Sequence, residues 1–552
     1  MKEKTRRKPL PVGVSDFDTM IREGYYYVDK TNLIHDLLYR KAAVTLFTRP
    51  RRFGKTLNMS MLYYFFDIRN AEKNKELFHG LNIEKSEFYS EQGKYPVIFL
   101  SFADLKPENW ENCYTDLKEM ISELFTEYSF IKESIPKTER DRYERIENLA
   151  PMANYRTSLK FLSRLLKQYF KKKVAILIDE YDAPLVSAWN NGFYEKAIGF
   201  FRQFYTGALK DNKSLKFGVL TGILRVAKEG IFSGLNNPVV NTILDKNFDE
   251  YYGLTESEVM NAIKAYNLET YENQVREWYN GYRFGNIQVY NPWSVLNYLS
   301  TGVLEAYWVN SSSNDLINRI LDTADHRTFQ LLLDIFNGQK VKCYIDKNIA
   351  FDEIEWQENL VTLLFFSGYL TTEENLGNNF YLLRIPNKEV LSFFQKRFIL
   401  KFLRREKNIG AMVSALEQKK ITGEGSFEFY LQESILNTFS SFDLRSNEVI
   451  YHVFLLGIFE NEPNYRIFSN LESGLGRADI ILEPFDRRRP GFIFELKVAD
   501  APDQLDKKLD EALKQIEDKK YAAYLKKQGI KEITAVAVAF CGKELKVRAK
   551  TL

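Results

Sequence analysis

The sequence has few cysteines and histidines. Its three cysteines, Cys113, Cys343 and Cys541, lie far apart and form neither a Cys-x-x-Cys pair nor a disulfide framework. With only four scattered histidines, a structural zinc site is not expected. The N-terminal segment MKEKTRRKPL is basic but has no apolar core typical of a secretory signal, and no apolar run of about 18 residues indicates a membrane span. We therefore expect a cytoplasmic protein.

The chain also lacks a strong excess of charge of either sign. Lysine and arginine total 77 against 74 aspartates and glutamates, a net charge of +3, so any basic surface must be a local patch. Hydrophobic residues make up 45% and charged residues 27%, which is ordinary for a globular protein. At about 100–200 residues per domain, the 552 residues predict three or four folding units.

Four short apolar runs in the first half of the chain alternate with segments of helical periodicity. These runs are VTLFT (44–48), PVIFLSF (96–102), VAILI (174–178) and KFGVL (216–220). A helix is predicted from Thr56 to about Asp67. Strands that alternate with helices predict an α/β domain built on a parallel sheet.

The segment LFTRPRRFGKTL (46–57) ends as a phosphate-binding loop does. In such a loop the lysine, here Lys55, reaches the β- and γ-phosphates, and the hydroxyl, here Thr56, binds Mg²⁺. Gly54 lets the backbone approach the phosphates closely. The position five before Gly54, where the motif expects glycine, holds Arg49. This arginine either crowds the loop or adds a cation to the phosphates.

Two later strand ends supply the partners that such a loop needs. Asp179 and Glu180 follow the apolar run VAILI, where a carboxylate can bind Mg²⁺ and a second can polarise the attacking water. Thr221 ends the fourth predicted strand and is placed to sense the γ-phosphate. Arg225, four residues later, is a further candidate for phosphate contact. The sequence therefore predicts an ATP site with Mg²⁺ as cofactor.

Five separated motifs resemble the bacterial AAA-ATPase-like family. They are YVDKT, FTRPRRFGKTL, ILIDEYDAPL, LTGILRVAKEGIFSGLNN and WYNGYRFG…VYNPWSVLNYL, and they span about residues 8 to 300. In that family the first glycine of the phosphate loop is routinely replaced, so the resemblance makes Arg49 a family feature. ATPases of this type often act as rings or dimers, which makes a homo-oligomer possible here.

The middle of the chain predicts helices and one hairpin. Residues 290–345 have a helical pattern, and residues 355–367 predict another helix. The segment GYLTTEENLGNNFYLLRIPN (368–387) is typical of a β-hairpin with a polar tip, and Asn387 is suited to cap the helix that follows. Helix, hairpin and helix together predict a winged-helix-like unit. A polar stretch at 418–426 is interpreted as a linker.

A second group of charged residues lies near the C-terminal end, in GLGRADIILEPFDRRRPGFIFELKVAD. Asp479 opens one predicted strand, while Glu495 and Lys497 lie two apart on the next and so share one face. Paired in a hairpin, the three side chains can meet. Two carboxylates that hold divalent ions and a lysine that stabilises negative charge suit phosphodiester cleavage, with Mg²⁺ as the expected ion.

This pattern, with Gln515 and Tyr521 on the following helix, resembles the PD-(D/E)XK nuclease superfamily. Ala478 stands where the superfamily usually has proline. An acid from an upstream helix often completes such sites, and Glu448 is the best candidate, with His452 one turn later. The resemblance implies a restriction-endonuclease-like α/β domain that acts on nucleic acid, with DNA favoured. The run 487–489 of three arginines is either a contact to the phosphate backbone or a solvated turn.

We expect three domains: an AAA-ATPase-like phosphate-loop domain at 8–290, a helical and winged-helix-like domain at 291–420 and a nuclease-like domain at 427–552. The leading hypothesis is an ATP-hydrolysing protein whose Mg²⁺-dependent nuclease responds to the nucleotide. The alternative is a nucleotide-dependent switch or scaffold whose nuclease fold only binds DNA or a partner. A pure helicase-like motor is disfavoured because no further helicase motifs are present.

Overall fold

The structure is a computed structural model. It describes residues 7–225, 238–311, 338–347, 357–394, 409–438, 448–460 and 462–552, together with 328, 331–332 and 334–335. Contacts divide the chain into two units, Met1–Leu391 and Ser392–Leu552. Among these residues there is no helix that is long and apolar enough to cross a bilayer.

The first unit begins with an α/β sandwich. Its elements to residue 222 are, in chain order, α1 (Phe17–Arg22), α2 (Asn32–Arg40), β1 (Val44–Thr48), α3 (Lys55–Phe66), α4 (Ala71–Lys75), β2 (Val97–Ser101), α5 (Trp110–Glu127), α6 (Lys137–Glu147), α7 (Ser158–Phe170), β3 (Val174–Asp179), α8 (Ala183–Asn190), α9 (Tyr194–Leu209) and β4 (Leu215–Gly222).

These strands and β5 (Val239–Asn241) form one parallel sheet in the order β2-β3-β4-β1-β5. Every residue of β1 and β3 is buried, as expected when helices cover both faces of a sheet. The predicted parallel α/β architecture is confirmed. Since the strands are parallel, β1, β3 and β4 end at the same edge, which brings the phosphate loop, Asp179 and Thr221 together.

The remainder of the first unit is smaller and mixed. Its elements are β6 (Leu254–Thr255), α10 (Glu256–Ala265), α11 (Glu272–Tyr279), β7 (Tyr282–Phe284), β8 (Ile287–Tyr290), α12 (Pro292–Thr301), β9 (Val341–Tyr344), α13 (Gln357–Phe366), β10 (Thr371–Gly377) and β11 (Phe380–Arg384). The hairpin β10–β11 was predicted, with Asn378 and Asn379 at its tip in the left-handed conformation. Asn387 accepts a hydrogen bond from the Val390 amide at 3.1 Å, as a cap does.

One strand was missed in this region. The segment 290–345 was predicted to be helical, but β9 pairs antiparallel with β11 and makes the hairpin a three-stranded sheet. Its four residues, VKCY, bury only Cys343, so the apolar signal is weak. Most of 312–337 lies outside the described residues.

The second unit is a mixed sheet with helices. Its elements are α14 (Ile409–Glu417), α15 (Phe427–Thr438), α16 (Glu448–Glu460), β12 (Tyr465–Ser473), β13 (Gly476–Pro484), β14 (Gly491–Val498), α17 (Leu505–Asp518), α18 (Ala523–Lys527), β15 (Ile533–Cys541) and β16 (Glu544–Thr551). The strand order follows the chain, β12 to β16; β14 and β15 are parallel and the other neighbours antiparallel.

The predicted order of helices, hairpin, long helix and strand is present, but the sheet has two further strands. β12 and β16 flank the predicted ones at the two edges. Residues 418–426, interpreted as a linker, form a turn between α14 and α15, closed by a hydrogen bond of 2.9 Å from the Phe427 amide to the Lys420 carbonyl. The division into three domains is a prediction that these contacts leave open.

Candidate functional site

The phosphate loop joins the end of β1 to the start of α3. Gly54 has φ of 82°, a left-handed conformation that glycine adopts without strain, and α3 begins at the next residue. No side chain caps this helix, so its first amides are open to a ligand. Backbone N–H groups at a helix N-terminus form a ready site for phosphate oxygens.

The Lys55 ammonium is held inside the loop. It donates to the carbonyl oxygens of Arg49 and Pro50 at 3.2 and 3.1 Å and lies 3.3 Å from a Glu180 carboxylate oxygen. Burial is the largest influence and raises the pKa of Glu180, but the cations Lys55, Arg51 and Lys106 together lower it by more, so the pKa of Glu180 is lowered overall. Glu180 is therefore a carboxylate, placed as a base or water-orienting group would be. Its φ of 52° is left-handed, which is uncommon for a non-glycine residue and frequent at functional sites.

Asp179, at the end of β3, lies beneath the loop and connects helix α3 to strand β4 through its two carboxylate oxygens. Its Oδ2 accepts from the Thr56 hydroxyl at 2.8 Å, and its Oδ1 accepts from the Thr221 hydroxyl. Burial raises the pKa of Asp179, and the neighbouring Glu180 raises it further. A hydroxyl and a carboxylate in contact are oxygen donors of the kind that Mg²⁺ prefers, so Thr56 and Asp179 fit a magnesium ion bound with a nucleotide.

A cavity of about 1230 Å³ opens above the loop. Besides Lys55, Thr56 and Glu180, it is lined by the cations Arg51, Arg52 and Lys106 and by the aromatic rings of Tyr26, Tyr27 and Trp293. Cationic groups and aromatic rings in the wall of one cavity suit a ligand with phosphates and a planar base. The volume slightly exceeds the upper end of the range for small-molecule sites.

Two arginines that the sequence assigned to the phosphates lie elsewhere. The Arg49 guanidinium is fully buried and donates to the carbonyl oxygens of Thr48, Asn241 and Phe248. Burial lowers the pKa of Arg49 to about 10. Since these carbonyls occupy it, Arg49 supports the loop from behind rather than facing a phosphate. Arg225 is not among the residues that line the cavity.

Aromatic residues from later in the chain hold the loop in place. Phe53 is fully buried, with its ring centroid 5.0 Å from that of Tyr282 and 5.1 Å from that of Phe284. The Trp308 indole N–H donates to the Arg51 carbonyl at 3.0 Å. The Arg51 carbonyl and the Arg52 N–H belong to one trans peptide and point in opposite directions. The bond to Trp308 therefore also fixes the direction of the Arg52 N–H. These contacts restrict the conformation of the loop.

A third acid, Asp182, lies next to this site and was not predicted from the sequence. Its Oδ2 accepts from the Ile223 and Leu224 amides at 2.9 and 2.8 Å, which fixes the turn after β4. Burial raises the pKa of Asp182 to about 6. A Cβ on Gly222 would approach Asp182 Oδ1 to 2.5 Å, so glycine is required there. Asp182 is the third acidic residue of the segment IDEYD, and its place beside Asp179 and Glu180 is the sequence signal that could have identified it.

A second missed carboxylate, Glu389, holds the turn that carries Trp308. It accepts a hydrogen bond from the Ser294 hydroxyl at 2.8 Å, and it also accepts from the amides of Tyr307, Trp308 and Val309. It is completely buried, and this burial raises the pKa of Glu389 to about 7 despite the hydrogen bonds. No local sequence signal identifies this residue, because its partners lie 80 to 95 positions earlier.

In the second unit, β13 and β14 bring Asp479 and Glu495 together. Ile480 pairs with Phe494 in the antiparallel ladder, so the preceding Asp479 lies beside the following Glu495. The Leu496 amide donates to Asp479 Oδ2 at 2.8 Å. The hairpin that the sequence predicted therefore places the two carboxylates side by side.

Lys497 and the helix α17 complete this group. Lys497 Nζ donates to Glu495 Oε1 at 2.8 Å, and Glu495 is almost entirely buried. Gln515 donates to the Tyr521 hydroxyl at 3.2 Å. Burial raises the pKa of Tyr521, and Glu495, Asp479 and Lys497 all act on it electrostatically, so the five side chains occupy one neighbourhood.

The upstream helix contributes a histidine. His452 forms a hydrogen bond of 3.1 Å with Ser469 Oγ, and burial lowers its pKa while nearby Asp479 opposes the shift. Glu448 begins α16, but its side chain lies outside the described residues. In the described part of the chain no three His, Cys, Asp or Glu side chains gather as a metal cluster. Asp479 and Glu495 fit Mg²⁺ as an all-oxygen pair that water and substrate phosphate would complete.

The run of three arginines lies at the opposite end of the hairpin. Arg487, Arg488 and Arg489 occupy the β13–β14 turn, whereas Asp479 is near the start of β13. Arg488 is paired with Asp486 at 2.7 Å, and Arg489 with Glu417 at 2.8 Å. The run is therefore remote from the carboxylates and largely neutralised.

The folds and side-chain groups define two classes of domain, a phosphate-loop α/β domain and a nuclease-type mixed α/β domain. Comparison with known families agrees. Residues 11–232 match the family described as "Predicted AAA-ATPase", and residues 446–550 match the PD-(D/E)XK nuclease superfamily. Both resemblances inferred from the motifs are confirmed.

One curated relative extends the comparison. The chain is 29% identical over 407 residues to an uncharacterized protein in the vnfD 5′ region of Azotobacter chroococcum mcd 1. The alignment covers 72% of this chain and 71% of that protein. The similarity therefore spans much more than the matched AAA-ATPase segment, although the relative's name states no activity.

Proposed function

We propose that this protein hydrolyses ATP and cleaves nucleic acid, DNA in preference, with a Mg²⁺-dependent nuclease whose rate responds to the nucleotide. The observation that carries the proposal is that each unit brings polar and charged residues from separate elements of its fold to one point. Thr56, Asp179 and Thr221 are joined by hydrogen bonds in the first unit. Asp479 and Glu495 lie side by side in the second.

The ATPase part of the proposal rests on the division of roles around the loop. The first amides of α3 and Lys55 bind the β- and γ-phosphates, while Thr56 and Asp179 hold Mg²⁺. Glu180 orients the attacking water, and Thr221 positions Asp179. Magnesium would supply charge neutralisation at the phosphates when bound.

The nuclease part rests on a buried carboxylate with a cation beside it. Burying Glu495 is costly unless it is paired, and Lys497 supplies the pair. Asp479 and Glu495 would hold Mg²⁺, which when bound would supply a water of lowered pKa, and Lys497 would stabilise the charge that develops on the phosphate. Gln515 orients the Tyr521 hydroxyl near this point.

The test is cleavage of labelled single- and double-stranded DNA and RNA with Mg²⁺ or Mn²⁺, with and without ATP. We expect Asp479→Asn and Glu495→Gln to lower the cleavage rate by about 10²-fold or more. Lys55→Ala should lower ATP hydrolysis by a similar factor and remove the effect of ATP on cleavage. The direction of that effect, activation or inhibition, is read from the native protein.

Each arm has a matched control. Glu483→Gln changes a carboxylate on the same strand β13, at its other end, where it bonds the Tyr524 hydroxyl at 3.0 Å. Lys172→Ala changes an exposed lysine outside the cavity. Both should keep native activity. Native cleavage by Asp479→Asn and Glu495→Gln would disprove the nuclease, and unchanged ATP hydrolysis by Lys55→Ala would disprove the ATPase.

The second candidate function is a nucleotide-dependent switch or scaffold whose nuclease fold binds nucleic acid without cutting it. The observation in its favour is that only two described carboxylates meet at the nuclease site. ATP binding together with nucleic-acid binding, but no cleavage with either metal, would establish this alternative. The three-domain division, a cytoplasmic location and a homo-oligomer are further parts of the proposal, and light scattering tests the last.

A further inference from the structure

The two turns at the ends of β13 differ in their surroundings. The β12–β13 turn consists of Gly474 and Leu475 and lies at the end where Asp479 is found. Its backbone is fixed against the end of α17, because the Leu475 amide donates to the Lys519 carbonyl at 2.7 Å. A Cβ on Gly474 would come within 2.2 Å of that same carbonyl oxygen, so the fit is tight.

This fixed turn exposes an apolar side chain next to cations. Leu475 is 68% exposed, although its backbone is held on both sides. Lys519 and Lys520 follow α17 directly and are exposed, and within the described part of the chain neither has an ion-pair partner. Asp518 precedes them, but Lys514 one turn earlier is also exposed and keeps the local balance positive.

The turn is close to the nuclease carboxylates. Leu475 precedes Asp479 by four residues on an extended strand, which is about 13 Å at about 3.3 Å per residue. Successive nucleotides of one strand of a duplex are spaced about 3.4 Å apart along the helix axis, so this distance, measured along the axis, is about four nucleotides. Gly476, between them, lies against Tyr521, since a Cβ there would be 3.2 Å from the Tyr521 hydroxyl.

We propose that this surface, formed by Leu475, Lys519 and Lys520, binds the DNA backbone about four nucleotides from the phosphate that is cut. The two lysines neutralise phosphates, and Leu475 contacts sugars or inserts beside a base, as apolar side chains do in proteins that deform DNA. The inference rests on the proposed nuclease function and names the surface that holds its substrate.

The arginine turn provides the comparison. It also exposes an apolar residue, Phe485, and carries three cations. However, Arg488 and Arg489 are engaged by acidic partners, and the turn is at the far end of the hairpin. Sequence alone leaves the arginine run as either a phosphate contact or a solvated turn, whereas ion pairing and position favour the two lysines as the phosphate contact.

The experiment measures binding of a fluorescent DNA duplex to the full-length Glu495→Gln protein, in which cleavage is suppressed, as a function of salt. Removing two phosphate contacts by Lys519→Ala with Lys520→Ala should reduce the slope of log K against log salt by about 1.8. Leu475→Ala should weaken binding several-fold without changing the slope. The control, Arg487→Ala with Arg488→Ala, should leave affinity and slope as in the parent protein.

The same pairs of substitutions are then tested for cleavage in the otherwise native chain. A raised KM with kcat little changed is expected for the lysine variant. The inference is wrong if the lysine variant keeps the affinity and the salt slope of the parent protein, or if only the arginine variant loses affinity. In either case, cleavage by the native protein would leave the proposed function standing. If the native protein neither binds nor cuts DNA, the proposed function and this inference fail together.

Discussion

Replacing Glu389 with glutamine tests whether a buried carboxylate makes the first unit sensitive to pH. The ordinary pKa of a glutamate is 4.5, and burial raises that of Glu389 to about 7. Between these two values the folded protein keeps a proton that the unfolded chain has lost. The contribution of Glu389 to stability is therefore complete at low pH, below 4.5, and is lost as the pH rises through about 7.

The size of the effect follows from the two pKa values. From pH 5 to pH 8 the free energy of unfolding of the native protein should fall by about 2 to 3 kcal/mol relative to that of Glu389→Gln. The first unit has 391 residues, so its unfolding entropy is about 0.8 kcal/mol/K and the loss corresponds to about 3 °C in Tm. At pH 5 the two proteins should be similar, because a protonated glutamate and a glutamine have nearly the same shape and are both neutral.

Differential scanning calorimetry at several pH values measures this difference on the transition of the first unit. Glu373→Gln is the control: Lys340 and Arg384 lower the pKa of Glu373, so it titrates below this range. Its Tm should run parallel to that of the native protein from pH 5 to 8. If Glu389→Gln also runs parallel, the four hydrogen bonds outweigh burial and the reasoning is wrong.

Substitutions at three further positions test the surroundings of the phosphate loop. Trp308→Phe keeps the ring but removes the hydrogen bond to Arg51, so ATP affinity by titration calorimetry should fall about 2- to 10-fold, and an unchanged affinity would contradict the positioning role. Gly368→Ala forces φ of 90° on alanine and puts a Cβ 2.9 Å from Pro50, so thermal stability should fall by about 1–3 kcal/mol. Asp182→Ala leaves two buried amides unpaired and should cost about 1–3 kcal/mol, whereas Asp182→Asn, which retains an acceptor, should cost less; equal losses would exclude this explanation.

The sequence predicted best the elements whose signal is local and apolar. β1 and β3 are continuous apolar runs, buried on both faces, and their ends position Asp179 and Glu180. β16 was missed although its residues alternate, with Leu545 and Val547 buried on either side of the exposed Lys546. β9 and β12 carry more polar residues and lie at sheet edges, so tertiary pairing rather than local pattern forms them.

The site residues divide in the same way. Thr56 and Asp179 meet because strand order brings two recognisable motifs to one edge of a sheet. The interior position of Arg49 was not predictable, because its carbonyl partners lie 192 and 199 residues further along the chain. Glu389 is similar: a glutamate near a helix start is expected at the surface, and only the fold provides its amide donors.

The dependence of the phosphate loop on Trp308 has a practical consequence for anyone who wishes to purify the AAA-ATPase-like part alone. The family match ends at residue 232, which invites a fragment cut there or at the predicted boundary after residue 290. Either fragment would lack the indole that bonds Arg51, and the shorter one would also leave Phe53 without its aromatic neighbours. A fragment that ends after Leu391 keeps all of these contacts and is the shortest that should be expressed to measure nucleotide binding.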